Sequence, residues 1–343
     1  MTVTPSAAST IASLADLRPI LRSLPGPDEA ALAKWQAREP QLTKPAGSLG
    51  RLEEITRHLS MWQGRHPPRL EVMRACVFAG NHGVAALGVS AFPAAVTAQM
   101  VANFQHGGAA INQLCRANGV ALSVDAFDLE EATADFTRGP AMSDGDCAAA
   151  FARGMASVLP GTDLLVVGEM GIANTTSAAA ICHALFGDSA GDWTGRGTGV
   201  DDDHLRIKIE VVEKGVATNA SDDPLEVLRR LGGREIAAMA GAILAARLAR
   251  IPVILDGFVC GAAAAVLYRA APGALDHCLA GHASAESGHR RLLERMALRP
   301  LLDLGMRLGE ASGAALAVGL VRAALACHTG MATFTQAGVS DKN

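Results

Sequence analysis

The sequence predicts an α/β fold, a parallel sheet covered by helices, and three observations carry that prediction. From residue 72 onward, short apolar runs alternate with longer helical stretches. The runs show no polar–apolar alternation, as expected of strands buried on both faces. Each run also ends in glycine or a polar residue: Gly80-Asn81-His82, Asp125, Gly168-Glu169, Asp256-Gly257 and Gly281-His282. Ligands of doubly wound sheets bind outside the carboxyl ends of the strands, so these residues would converge on one crevice. Turn chemistry favours the same residue types and accounts for any single position. Five runs ending alike point to a site.

In chain order, the first seventy residues are helical and comparatively polar, punctuated by Pro25, Pro27, Pro40, Pro45, Pro67 and Pro68. Leu49, Leu52, Ile55 and Leu59 fall at helical spacing and predict a helix over 50–61 with one buried face. The Pro67-Pro68 pair marks a boundary with the next unit. Strands are predicted at 74–80, 120–126, 163–169 and 252–257, with a weaker one at 274–281. Helices are predicted at 95–117, 145–158, 175–186, 203–218, 234–249, 259–270, 285–296 and 313–327. The chain shows no internal repeat and no low-complexity tail.

Composition narrows the function classes. Half of the 343 residues are apolar and 19% are charged, enough for a large core and too apolar for a disordered chain. Thirty Lys and Arg against 34 Asp and Glu give a net charge of −4, without a basic cluster, which argues against nucleic acid. The seven cysteines are scattered and form no C-x-x-C pair, so they read as small apolar residues in a reducing cytoplasm. The N-terminus lacks the basic and apolar regions of a signal peptide. The most apolar window, 236–268, is interrupted by Arg247, Arg250, Pro252 and Asp256 and does not read as a membrane span. The expectation is a cytoplasmic protein with no membrane or nucleic-acid partner.

Two glycine-rich stretches suit an anion. VGEMGIANTTSAAAI (167–181) reads as strand, turn and helix opened by Asn174, Thr175 or Thr176, whose free N–H groups suit a phosphate. A capped helix with nothing bound is the plain alternative. The stretch lacks a Walker lysine and G-x-G-x-x-G spacing, so neither a nucleoside triphosphate nor a dinucleotide is supported. GRGTGVDDDHLRIKIE (195–210) holds three glycines, then an acidic helix start. Lys208 in that helix either snorkels to solvent, as most such lysines do, or points into the crevice as a point charge for phosphate. The histidines show no metal spacing, and G-x-S-x-G is absent. Glu310 lies between Gly309 and Ala311 just before a helix opened by Ser312. A helix N-terminus would lower its pKa, whereas partial desolvation would make it a general base, and the residues alone leave both open.

KPAGSLGRLE (44–53), FAGNHGVAALGVSAFP (78–93), FQHGGAAIN (104–112), VGEMGIANTTSAAA (167–180), SAESGH (284–289) and GMRLGEASGAALA (305–317) together resemble one family. It is the nicotinate-nucleotide–dimethylbenzimidazole phosphoribosyltransferase family of cobalamin biosynthesis, and the likeness runs from about residue 40 to about residue 327 in motif order. The resemblance implies a Rossmann-like α/β domain (71–300) and a small helical domain made from the chain ends (1–70 and 301–343), assembled as a homodimer. It implies transfer of phosphoribose from nicotinate mononucleotide to 5,6-dimethylbenzimidazole, giving α-ribazole 5′-phosphate and nicotinate with inversion at the anomeric carbon. No metal or redox cofactor is implied. Glu310 matches the family's catalytic glutamate, and Glu169 is the second carboxylate expected near the ribose. Gly171, Asn174, Thr175, Lys208, Asp256 and Ser284 are expected substrate-binding residues, with the Gly171–Thr176 turn and Lys208 at the phosphate. Ser90, Phe92 and Leu308 are expected to wall a slot for the acceptor base. Gln99 looks like the family's glutamine near that base, or else is a polar residue on an exposed helix face. Ala173 departs from the family's usual glycine, which puts the backbone contacts of that turn in doubt. The rival readings are a catalytically silent sensor of nicotinate mononucleotide, which has no need of Glu310, and an oxidoreductase, which lacks its dinucleotide fingerprint.

Overall fold

The computed structural model describes residues 11–197 and 199–340. The first ten residues, Thr198 of the 195–199 loop and the last three residues lie outside the described residues. Six parallel strands form one sheet in the order β2-β1-β3-β4-β5-β6: β1 Met73–Ala79, β2 Ala121–Ala126, β3 Leu164–Met170, β4 Val253–Leu255, β5 Cys278–His282 and β6 Pro300–Leu302. The α/β expectation holds. The chain leaves β1 toward one edge and returns on its other side as β3, so the strand order reverses between β1 and β3. Crevices for ligands open at such a switch point.

Before the sheet come α1 (Leu17–Leu21), α2 (Glu29–Arg38) and α3 (Arg51–Gln63). Between β1 and β3 lie α4 (Ala95–Gln105), α5 (Ala110–Asn118) and α6 (Asp144–Ala156). Six helices separate or follow β3 and β4: α7 (Asn174–Phe186), α8 (Ala190–Trp193), α9 (Asp202–Thr218), α10 (Pro224–Leu231), α11 (Arg234–Leu248) and, after β4, α12 (Phe258–Ala270). The remainder are α13 (Ser287–Arg295), α14 (Ser312–Gly330) and α15 (Phe334–Ala337).

Successive side chains of a strand point to opposite faces, and both faces here are apolar. Cys76, Phe78, Leu165 and Val167 join a core with α6, α7, α11 and α12. Ala75, Val77, Leu164 and Val166 join a second core with α3, α5 and α14. The two best-packed helices, α6 and α11, meet backbone to backbone. A Cβ on Gly154 would lie 1.9 Å from the Ala238 carbonyl oxygen, and one on Gly241 would lie 2.0 Å from that of Phe151.

Several boundaries differ from the sequence expectation. The helix expected over 95–117 is two, because the chain turns at Gly107, whose φ is +79°. Strand 274–281 starts only at Cys278, after a turn at Gly273. Strand 252–257 stops at Leu255, which releases Asp256 and Gly257 into the crevice turn. β2 is an edge strand with partly exposed residues rather than a fully buried one. β6 was not expected at all, and it carries the sheet across the 300/301 division.

Helix α14 is long and apolar enough, by length and composition, to cross a membrane, yet it packs on α3, α5 and the sheet. Its first turn rests directly on two strands. A Cβ on Gly168 of β3 would lie 2.3 Å from the Ala311 nitrogen, and one on Gly281 of β5 would lie 2.7 Å from the Ala314 Cα. Its far end is held by the N-terminal segment. The Arg38 guanidinium donates to the carbonyls of His328, Thr329 and Met331 at 3.1, 3.3 and 3.1 Å, satisfying end groups that the helix leaves open. Leu42 and Thr333 add an antiparallel bridge.

Candidate active site

The carboxyl ends of β1, β3, β4 and β5 and the loop before α14 bring three carboxylates together. Glu169 is the last residue but one of β3, Asp256 follows β4, and Glu310 precedes α14. All three are buried. Gly309, Glu310 and Ala311 run consecutively in the left-handed region, with φ of 80°, 59° and 64°. For the two non-glycine residues this costs roughly 1–2 kcal/mol each, which the packing of the α14 start on Gly168 and Gly281 must hold in place. Gly309 backs onto Glu169, since a Cβ there would lie 2.6 Å from Oε1. Asn174 donates through Nδ2 to Glu169 Oε2.

Burial sets the protonation of these acids. Loss of water pushes Glu310 up to about 7, with the charge of Asp256 adding to the effect. Burial also pushes Glu169 up to about 8, opposed by the Asn174 bond and reinforced by Glu235, Asp256 and Glu310. Asp256 is raised by burial too, against the nearby His282. Asp256 Oδ1 accepts from the Ala314 N–H at 2.9 Å, so β4 supplies the cap that α14 lacks locally. The net effect on Glu310 is thus upward, set by burial rather than by the helix end.

These raised values have a consequence for stability. Between the unfolded value of 4.5 and the folded value near 8, native Glu169 binds more protons than unfolded Glu169. Stability from this group is therefore present at low pH and is lost as pH rises through that window. Glu169→Gln is expected to stabilise the protein at pH 8 by on the order of 1 kcal/mol or more, and far less at pH 4.5. Thermal melts at the two pH values check this; equal shifts would show that the carboxylate is not desolvated.

The other end of the crevice is cationic. Lys208 is 1% exposed and donates through Nζ to Thr175 Oγ1 at 2.7 Å and to the Gly195 carbonyl at 3.1 Å. Among the described residues, no carboxylate oxygen lies within 4.0 Å of it. Burial lowers its pKa to about 8, opposed in part by the charge of Glu286. A cleft of ≈ 470 Å3 is lined by Gly195, Arg196, Gly197, Glu286, Ser287 and Arg307 among others, and it shares Gly195 with the contacts of Lys208. The common expectation for such a lysine, snorkelling, fails because two distant segments supply its acceptors.

The expected site residues fall into three groups. Glu310, Glu169, Asn174 and Gly171 gather at the β3 end, and Thr175 and Lys208 meet each other beside Gly195. Asp256 and Ser284 are buried with backbone partners, Ser284 Oγ accepting from the Glu286 N–H at 3.2 Å. Phe92 and Leu308 are about half exposed, Gln99 lies on the exposed face of α4, and Ser90 Oγ accepts from the Phe92 N–H at 3.2 Å. Ala173 has φ 74°, which is the physical reason glycine suits that turn. Arg196, Glu286 and Arg307 in the cleft were not singled out from the sequence; His82 was expected to line the crevice, but it is buried in a chain with Ser177 and Glu235, neither of which was singled out. Glu235 left one signal, a lone carboxylate opening an apolar helix.

A phosphoribosyltransferase family model matches residues 24–339. The chain belongs to that family. The nicotinate-nucleotide–dimethylbenzimidazole phosphoribosyltransferase of Ruegeria pomeroyi is 61% identical to this phosphoribosyltransferase over 331 residues, 96% of this chain and 98% of that one. The protein of the same name from Rhizobium etli is 59% identical over 330 residues, 96% and 97% of the two chains. Among solved structures, the crystal structure of the enzyme of that name from Thermus thermophilus superposes with a TM-score of 0.84 at 41% identity. It covers 92% of this chain and all of that one. The resemblance drawn from six motifs is thus met along the whole phosphoribosyltransferase fold.

Proposed function

We propose that this phosphoribosyltransferase moves phosphoribose from nicotinate mononucleotide to 5,6-dimethylbenzimidazole, giving α-ribazole 5′-phosphate and nicotinate in cobalamin biosynthesis. One observation carries the reading: consecutive residues of the α7 start, Asn174 and Thr175, hold a buried carboxylate, Glu169, and the buried ammonium of Lys208, which has no carboxylate partner among the described residues. The near-full-length relatives support the choice of substrates.

The chemistry needs little else. One ring nitrogen of neutral dimethylbenzimidazole attacks the anomeric carbon from the face opposite nicotinate, inverting it. The bond to the pyridinium nitrogen breaks, and its electron pair neutralises the departing ring, so no general acid is required. Positive charge builds on the acceptor ring, and Glu310 takes the proton from its second nitrogen. Glu169 lies nearer the ribose, and being largely protonated at neutral pH it donates a hydrogen bond there rather than adding charge. The phosphate sits at the Gly171–Thr176 turn with Lys208 as counter-charge. Asn174, Asp256 and Ser284 hold the surrounding loops. Ser90, Phe92 and Leu308 wall the acceptor slot, and Gln99 lies toward its outer end. The chain ends form a small helical unit (1–70 and 301–343) beside the α/β domain (71–300), and the working form is a cytoplasmic homodimer.

Mixing the protein with nicotinate mononucleotide and dimethylbenzimidazole should release nicotinate and α-ribazole 5′-phosphate in equal amounts. Nicotinate without the second product, or neither, would overturn the assignment. Lys208→Ala is expected to weaken nicotinate mononucleotide binding by roughly 1–3 kcal/mol, the range of a hydrogen bond to a charged group. Calorimetry checks this, and unchanged affinity would remove Lys208 from the phosphate site.

A further inference from the structure

We propose that Ser177, His82 and Glu235 are positioning residues that fix the start of α7, and through it the nucleotide end of the crevice. The inference rests on the phosphoribosyl-transfer reading. The three residues come from three elements: Ser177 from the first turns of α7, His82 from the loop after β1, and Glu235 from the first turn of α11. Each is at most 2% exposed. Ser177 Oγ lies 2.9 Å from His82 Nδ1, and His82 Nε2 lies 2.6 Å from Glu235 Oε1. One tautomer of His82 satisfies both bonds. Nε2–H donates to the carboxylate, and Nδ1 accepts from the serine hydroxyl.

The order of groups is that of a hydrolase triad, yet a fully buried hydroxyl cannot meet a substrate, so nucleophilic chemistry is excluded by position. Stability is a poor explanation as well, since a buried carboxylate and imidazole cost more than apolar residues of equal volume. The space is nonetheless reserved for them. A Cβ on Gly80 would lie 2.6 Å from Glu235 Oε2, and one on Gly233 would lie 2.3 Å from His82 Cε1.

What the chain holds is the segment that carries the site. Within the same α7 start, Thr175 bonds Lys208 and Asn174 bonds Glu169. On the other side, the β1 loop touches the phosphate turn, since a Cβ on Gly171 would lie 2.7 Å from the Gly80 carbonyl oxygen. A shift of α7 along its axis would therefore move the phosphate contacts first.

The test uses Ser177→Ala, Glu235→Ala and Glu235→Gln in the full chain, with KM for each substrate, kcat, melting temperature and amide hydrogen exchange over 174–177. Ser177→Ala and Glu235→Ala are expected to raise KM for nicotinate mononucleotide roughly 5–20-fold, as loss of one buried hydrogen bond would, with KM for dimethylbenzimidazole unchanged. Exchange over 174–177 should quicken in both. Glu235→Gln keeps an acceptor for His82 Nε2–H and should recover most of the nucleotide affinity. Unchanged nucleotide KM in Ser177→Ala, equal rises for both substrates, or a loss confined to melting temperature would each overturn the inference. If the unaltered protein makes no α-ribazole phosphate, the functional reading fails instead, and the exchange arm still decides whether the chain holds α7.

Discussion

Replacing Glu310 by Gln is expected to lower turnover by roughly 10²–10⁴-fold, the usual contribution of a general base, while leaving nicotinate mononucleotide affinity largely intact. Glutamine keeps the shape and the hydrogen bonding but cannot take the proton. Because burial sets Glu310 near 7, the rate of the unaltered enzyme should rise with pH through about 7 as the carboxylate ionises. It should fall again as Lys208, near 8, loses its charge and its hold on phosphate. In Glu310→Gln the rising limb should vanish and the falling limb remain. A glutamine variant with near-normal turnover at saturating substrates would remove Glu310 from the mechanism.

Gly168→Ala is expected to be nearly as damaging without touching a chemical group. Its Cβ would lie 2.3 Å from the Ala311 nitrogen and 2.6 Å from its Cα, and neither atom belongs to a side chain that can turn aside. Either β3 or the start of α14 must move by about an ångström. Overpacking of this kind costs roughly 1–3 kcal/mol of stability. A displacement of about 1 Å in a catalytic group costs roughly 10²-fold in rate. Urea denaturation and turnover of the folded fraction measure the two effects separately. Full turnover in a destabilised variant would show that Glu310 keeps its place by other means.

How much of this was readable in the sequence depended on how local the cause was. DLLVVGE announced β3 because a strand buried on both faces must be apolar throughout. β6 gave no such signal, being three residues long, opened by proline and paired at only Ala280–Pro300 and His282–Leu302. Glu310 was readable as a candidate, but its desolvation was not, because the cap on its helix comes from Asp256, far away in the chain. Lys208 was ambiguous for the same reason, its acceptors belonging to Thr175 and the 195–197 loop. The His82–Glu235–Ser177 chain exists only once three elements have packed.

The clasp at the far end of α14 has a geometrical meaning for the chemistry. Nineteen residues at about 1.5 Å each make a rod of about 28 Å, with its fulcrum where Gly168 and Gly281 touch the first turn. Arg38 and the Leu42–Thr333 bridge grip the long arm. If that grip confines the far end to about 1 Å, the rod can tilt by only about 2°, and its short arm carries Glu310. Any swing of the long arm would turn the short one by the same angle, so contacts nearly 30 Å away bear on the direction in which Glu310 points.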